Sequence, residues 1–176
     1  DSEFEKPFKK KRDKQDRAKK ERPAKVYDEK SLRHKAIELL ARREYSLSEL
    51  EAKLLLLSAD EEAIHKVLDW LVKMELQSDE RFTQMFLRSK ANSGYGGVRI
   101  KLELKQKGIV EFLIENTFAE FEFDLLEEVD RLIQKKLKNQ SLDDMKLKQK
   151  IMTFLQRRGF SLDQIYAGFD RLKESI

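Results

Sequence analysis

Cysteine is absent from the 176 residues, proline and histidine occur twice each, and glycine six times. Without cysteine there is neither a disulfide framework nor a thiolate zinc site. His34 and His65 fall on different predicted helices and belong to no H-E-x-x-H, which argues against zinc chemistry. No apolar run approaches the length of a membrane span, and the N-terminal residues lack the apolar stretch of a signal peptide. A reducing, cytoplasmic location with no membrane partner and no cofactor is therefore expected.

Four of the six glycines crowd into 88-RSKANSGYGGVRIKLELKQKGI-109, among bases. A phosphate loop is the first thing to test there. Gly94, Gly96 and Gly97 do not make G-x-G-x-x-G, because Arg99 holds the third position, and no G-K-[ST] exists in the chain. The preceding 80-ERFTQMFLRSKA-91 has a helical rather than a strand pattern. Adjacent acids such as Glu61-Glu62 and Asp143-Asp144 stand where helices begin, facing the positive end of the dipole, and need no catalytic role. Trp70 and the phenylalanines recur at helical spacing and read as core, with Phe121 and Phe123 less clear. No enzyme emerges from these residues.

Charge is what the chain has in quantity: 40% of its residues are Asp, Glu, Lys or Arg. Residues 1–27 hold 11 bases against 6 acids, while residues 28–176 are near neutral with 26 against 27. The first segment carries both prolines and almost no aliphatic residue, the composition of a disordered arm. Such an arm either holds anionic polymers weakly or is simply solvated. Beyond it, charge comes in blocks: seven bases and one acid over 81–107, eight acids and no base over 108–130, then nine bases and two acids over 131–158.

Past residue 28 the pattern is helical almost throughout. Leu32, Ala36, Leu39, Leu40 and Arg43 predict one stripe of a first helix over 32–44; Ser46 or Ser48 caps a second reaching Leu57; Asp60 caps a third over 61–74. This unit recurs with a period of about fifty residues. Leu50/Leu54 becomes Ile100/Leu104 and Ile151/Leu155; Ser58 becomes Gly108 and Gly159; Ala59 becomes Ile109 and Phe160; Ile64 becomes Ile114 and Ile165; Leu68 becomes Phe118 and Phe169. Gly108 and Gly159 fall where one helix ends, a position at which a left-handed backbone costs little only for glycine. Gly94, Gly96 and Gly97 form the turn between the first and second helices of the middle unit. The expected fold is all-α: a basic arm over 1–27, then three tandem three-helix repeats over 28–76, 77–119 and 120–176. Each unit is short, so neighbours are expected to share apolar surface and form an elongated, curved helical array.

At this point the residues resemble a known family. The run 78-SDERFTQMFLRSKANSGYGGVRIKLELKQKGI-109 is similar to the central signature of the RecX family of bacterial recombination regulators, through Asp79-Glu80-Arg81-Phe82, Phe86, Arg88, Gly94-Tyr95-Gly96, Arg99-Ile100, Glu103-Leu104 and Lys107-Gly108. Residues 36–76 resemble the family's opening segment and 154–170 its closing one; 117–139 match poorly, and Gly97 stands where the family often has proline, which loosens the turn. The resemblance implies a monomeric regulator without catalytic activity. It would bind the groove of a RecA filament on single-stranded DNA and limit recombinase and ATPase activity.

Independently, the bases suggest a surface. Arg88, Arg99, Lys101, Lys105 and Lys107 in the middle unit, with Lys146, Lys148, Lys150, Arg157 and Arg158 in the third, lie off the core stripes. Repeated basic helices suit a periodic anionic partner, including direct DNA contacts; equally they form a solvated face neutralised by the acidic block between them. A rival reading takes 46–76 as a winged-helix DNA-binding module, which requires a β-hairpin after its last helix. A helical scaffold with protein partners only is the third reading.

Overall fold

The structure, a computed structural model, describes residues 27–121 and 125–175. Among these residues every regular element is a helix: α1 (Glu29–Leu40), α2 (Leu47–Leu55), α3 (Glu61–Lys73), α4 (Asp79–Asn92), α5 (Gly97–Gln106), α6 (Glu111–Glu120), α7 (Leu125–Leu137), α8 (Met145–Arg158) and α9 (Leu162–Glu174). The winged-helix rival has no hairpin where it needs one, because α4 follows the first three helices directly. The basic arm falls, Tyr27 apart, outside the described residues.

Local chemistry explains most of the boundaries. Ser46 forms a capping box with Glu49, Ser161 forms another with Gln164, and Asp28, Asp60, Ser78 and Asp144 each accept a first-turn amide. Asp60 and the Glu61-Glu62 pair do open α3. The first helix differs from its predicted range. Asp28 caps it at residue 29 and it ends at Leu40, so Arg43 lies beyond its stripe, in the turn, with its guanidinium 3.6 Å from the Tyr45 ring centre.

The repeat register is also the packing register. Leu50, Leu54, Ile64, Ile100, Leu104, Ile114, Leu155 and Ile165 are all inaccessible to solvent, and Ile151 nearly so. They do not merge into one core. One cluster holds Leu32 through Leu71, a second Phe82 through Ile114, a third Val129 through Phe169. Thus α1–α3, α4–α6 and α7–α9 each close around their own apolar residues. Among the described residues, the apolar surface that neighbours share is that of Leu125 of α7 and Phe121, which pack against the middle cluster.

What joins the units is polar and made by helix ends. The C-terminus of α8 meets the N-terminus of α5: the Gly96 and Val98 amides donate to the Arg158 and Gly159 carbonyls at 2.7 and 3.0 Å. Fifty residues earlier the C-terminus of α5 meets the N-terminus of α2, with Ser46 Oγ donating to the Lys107 carbonyl at 2.8 Å. The approach is so close that a Cβ on Gly159 would lie 2.2 Å from Arg99 Cβ, one on Gly96 2.5 Å from the Gly159 carbonyl, and one on Gly108 2.6 Å from Ser48 Cβ. Gly108 and Gly159 also have φ of +80° and +96°. Nothing among the described residues docks on the α2 terminus. There the repeat has Ser58 in place of glycine, and Ala59 is exposed where Ile109 and Phe160 are buried.

Gly159→Ala therefore meets two penalties, a left-handed backbone costing about 1–2 kcal/mol and a clash with α5 costing about 1–3 kcal/mol. Denaturant unfolding of the full chain should show a loss of about 2–5 kcal/mol. In hydrogen exchange, the Gly96 and Val98 amides should lose protection before the amides inside the three cores.

Candidate functional site

Residues that share the predicted basic surface differ in what neutralises them. In the middle unit each base of α5 has a carboxylate: Arg99 has Glu103 at 3.4 Å, Lys101 has Glu115 at 2.8 Å, Lys105 has Glu111 at 3.0 Å, and Lys107, at the helix end, has Glu49 at 2.6 Å. Three of these acids come from elsewhere in the fold, Glu111 and Glu115 from α6 and Glu49 from α2. The acidic block that follows the basic one in sequence thus folds back onto it. Arg99 has structural work as well: its Nη1 donates to the Arg157 carbonyl, and its guanidinium lies 4.5 Å from the Tyr95 ring centre.

The third unit is different. Lys146, Lys148, Lys150, Arg157 and Arg158 on α8 form no ion pair with any described residue, and neither does the exposed Arg88 on α4. Asp143 and Asp144, the acids that precede α8, are occupied at the helix start, where Asp144 caps the Lys146 and Leu147 amides and Asp143 accepts from Ser141. Three aromatic rings stand among these cations, one of them the buried Phe169, 5.2 Å from Lys148. Lys136 of α7 lies 4.2 Å and Arg158 5.2 Å from the Phe154 ring centre, and Arg158 also reaches Tyr95 at 4.7 Å, with Lys90 on that ring at 4.9 Å. Arg158 is pinned further by its bond to the Ser93 carbonyl at 3.1 Å. Gln149, Lys150, Thr153, Phe154 and Arg157 line one shallow pocket on this face.

The geometry therefore separates the ten predicted bases into two groups. Those of α5 are compensated; those of α8, with Arg88, keep their charge unopposed. Lys136, Tyr95 and Phe154 were not among the predicted surface residues. The signal for Lys136 was present, since it belongs to the same 131–158 basic block.

The comparisons with known proteins agree with the repeat pattern. Residues 78–117 match the family model described as RecX, second three-helix domain, and residues 122–167 match RecX, third three-helix domain. Regulatory protein RecX of Acinetobacter baylyi is 39% identical over 143 residues, which span 81% of this chain and 89% of that one. The Haemophilus influenzae RecX is 37% identical over 73% of this chain and 86% of its own. The crystal structure of RecX from Lactobacillus salivarius superposes with a TM-score of 0.73 at 26% identity, covering 83% of this chain and 97% of that one. The chain belongs to the RecX family. Its second and third three-helix units match the family's own domains, and the family is one of regulatory proteins rather than enzymes.

In this RecX chain the joint between the first two units is itself an ionic lock. Asp79 Oδ1 accepts from the Leu47 amide and from Gln77 Nε2, Arg81 pairs with Glu44 at 3.0 Å, and Glu49 sits between Lys107 and Arg43. Burial raises the Glu49 pKa, but bonds from Lys107 and the Ser46 amide, with Arg43 beside it, outweigh burial and hold the carboxyl below its ordinary value. A depressed carboxylate contributes stability that is present above its unfolded pKa and lost as pH falls through its folded one. Glu49→Gln keeps a side chain able to complete the capping box while removing the charge. Unfolding followed across the acidic range should accordingly show the variant less stable than the parent near neutrality. The two should converge as the parent's carboxyl is protonated.

Proposed function

We propose that this RecX protein binds the groove of RecA filaments on single-stranded DNA and restrains recombinase and ATPase activity, by occupancy and without chemistry of its own. The observation that carries the reading is the unopposed charge of α8, in a chain whose family is one of recombination regulators. Lys146, Lys150 and Arg157 project from α8 with no carboxylate to satisfy them. Phosphate oxygens along a strand supply that partner, and release of the strand's counterions makes the contact favourable at low salt. Phe154 and Tyr95, each bracketed by cations, hold Lys136 and Arg158 in place on this face through their rings. The third unit is then the element nearest DNA. The α5 bases would first have to leave Glu103, Glu115, Glu111 and Glu49. The protein would act as a monomer in the cytoplasm, where its partner assembles.

Lys146, Lys150 and Arg157 are exposed and belong to none of the buried clusters, so reversing all three to Glu should leave the fold intact. The expected result is at least a tenfold loss of affinity for a RecA filament. The slope of log affinity against log salt should also flatten by about 2, from about 0.7 per lost phosphate contact on a single strand. Reversing Lys101 and Lys105 instead should cost less, since each already spends its charge on a neighbour. The parent protein should slow DNA-dependent ATP hydrolysis in proportion to filament occupancy. An unchanged hydrolysis rate at saturation argues against the whole reading.

A further inference from the structure

Phe112 breaks the expectation that the phenylalanines are core: it is 77% exposed, and Val110, two residues earlier at the same turn, is 65% exposed. Single exposed apolar residues are ordinary on a protein surface. These two are singled out by the repeat. In register, Val110 corresponds to Asp60 in the first unit and Ser161 in the third, and Phe112 to Glu62 and Asp163. In both sister units the first position is an N-cap whose side chain accepts an amide, from Ala63 at 3.0 Å and from Gln164 at 3.2 Å, and the second is an acid on the positive end of the helix. The middle unit gives up both. Val110 offers α6 no side-chain cap, and Phe112 replaces a favourable carboxylate with a large exposed ring. Among the described residues nothing gains from the exchange. A local rule broken without an internal return marks a residue kept for a partner.

We infer that Val110 and Phe112 form a knob that inserts into an apolar pocket on a protein, and specifically on the recombinase subunits of the filament; this rests on the filament-binding reading above. The electrostatics select protein over DNA. Around the knob stand Glu111 and Glu115, whose side chains are 70% and 53% exposed; Lys105 and Lys101 are paired to those same acids, and Lys107 before the turn is paired to Glu49. With Glu120 at the far end of α6, the α5–α6 pair carries one acid more than it has bases and, among the described residues, no unpaired cation for phosphate, which suits a protein pocket edged by basic side chains. Exposed aromatics of this kind are the usual anchors of protein interfaces. The middle unit thus reads the protein of the filament while α8 reads its DNA.

Converting the turn to the chemistry of the first unit, with Val110→Asp and Phe112→Glu together, tests this with a built-in fold control. The new cap and first-turn acid should leave the melting temperature unchanged or raise it. Affinity for a RecA filament on single-stranded DNA should fall at least about tenfold. In parallel, replacing Phe112 by the photoreactive p-benzoylphenylalanine in the otherwise native chain should, on irradiation with the filament, give an adduct to the recombinase polypeptide. Undiminished filament affinity of the double variant overturns the knob, as does an adduct to DNA. A parent protein that sediments as a dimer, and becomes monomeric in the double variant, overturns it in favour of a second copy as occupant. Failure of the parent itself to bind filaments removes the filament-binding reading and the knob with it.

Discussion

The arrangement rests on carbonyl groups at the end of one helix meeting donors at the start of another. Each helix leaves its first amides and last carbonyls without intrahelical partners, and here those orphans of α8 and α5 satisfy one another directly across a unit boundary. The dipoles meet negative end to positive end, which favours the contact further. Backbone can approach backbone this closely only if no side chain intervenes. Gly159 and Gly96 therefore face each other, and Gly108 faces the start of α2. At the α5 end the donor is a side chain, Ser46 Oγ, which simultaneously caps α2. One hydroxyl thus fixes a helix start and a unit joint together. A glycine-rich turn among bases is accounted for by this packing, and no phosphate is needed to explain it.

Because the joints are narrow and polar while the three cores are separate, the molecule's stability and its shape come from different interactions. Burial of Leu50, Ile100, Ile151 and their repeat partners stabilises each unit from within. The direction in which one unit leaves the next is set by a handful of hydrogen bonds, the Asp79 and Arg81 contacts on one side, and Arg99 and Arg158 on the other. Damage to a joint then alters how units are presented to a partner before it alters whether they fold. This gives Arg99 and Arg158 a meaning beyond their charge: both hold the second joint by donating to main-chain carbonyls.

Much of this was legible in the sequence, and the parts that were not share a cause. The helices, the fifty-residue register and the buried positions followed from periodicity, which is a local property that tertiary packing merely uses. The left-handed glycines followed from helix-end chemistry. Separation of the cores did not, because composition shows how much apolar surface exists and not whether neighbouring units pool it. The state of the basic surface did not either. Lys101 and Glu115, or Lys107 and Glu49, are 14 and 58 residues apart, and only folding pairs them. Sequence blocks suggested positive and negative stations; the fold pairs the α5 bases of the first positive one with Glu49, Glu103, Glu111 and Glu115 and leaves those of α8 in the second unpaired. Phe112 was misread for the opposite reason. It has the spacing of a core residue, and only comparison with Glu62 and Asp163 shows that its position faces water in every unit.

That last comparison shows what a degenerate repeat can reveal in a single chain. Positions where all three units agree, such as Ile64, Ile114 and Ile165, report what the unit requires to fold. Positions where one unit departs without a compensating contact report something the fold does not require. At Ser58 no described residue of another unit docks, so the glycine constraint is lifted there. Val110 and Phe112 depart in the costly direction, exposing apolar surface and leaving a helix start uncapped, and relaxed constraint alone gives no reason for a large aromatic side chain there. The same logic distinguishes α8 from α5: equivalent helices, similarly basic, one neutralised by its own unit and its neighbour, the other left charged. A chain built from three copies of one scaffold thereby leaves an exposed apolar turn on the middle copy and an unpaired basic helix on the last, with the joints between them.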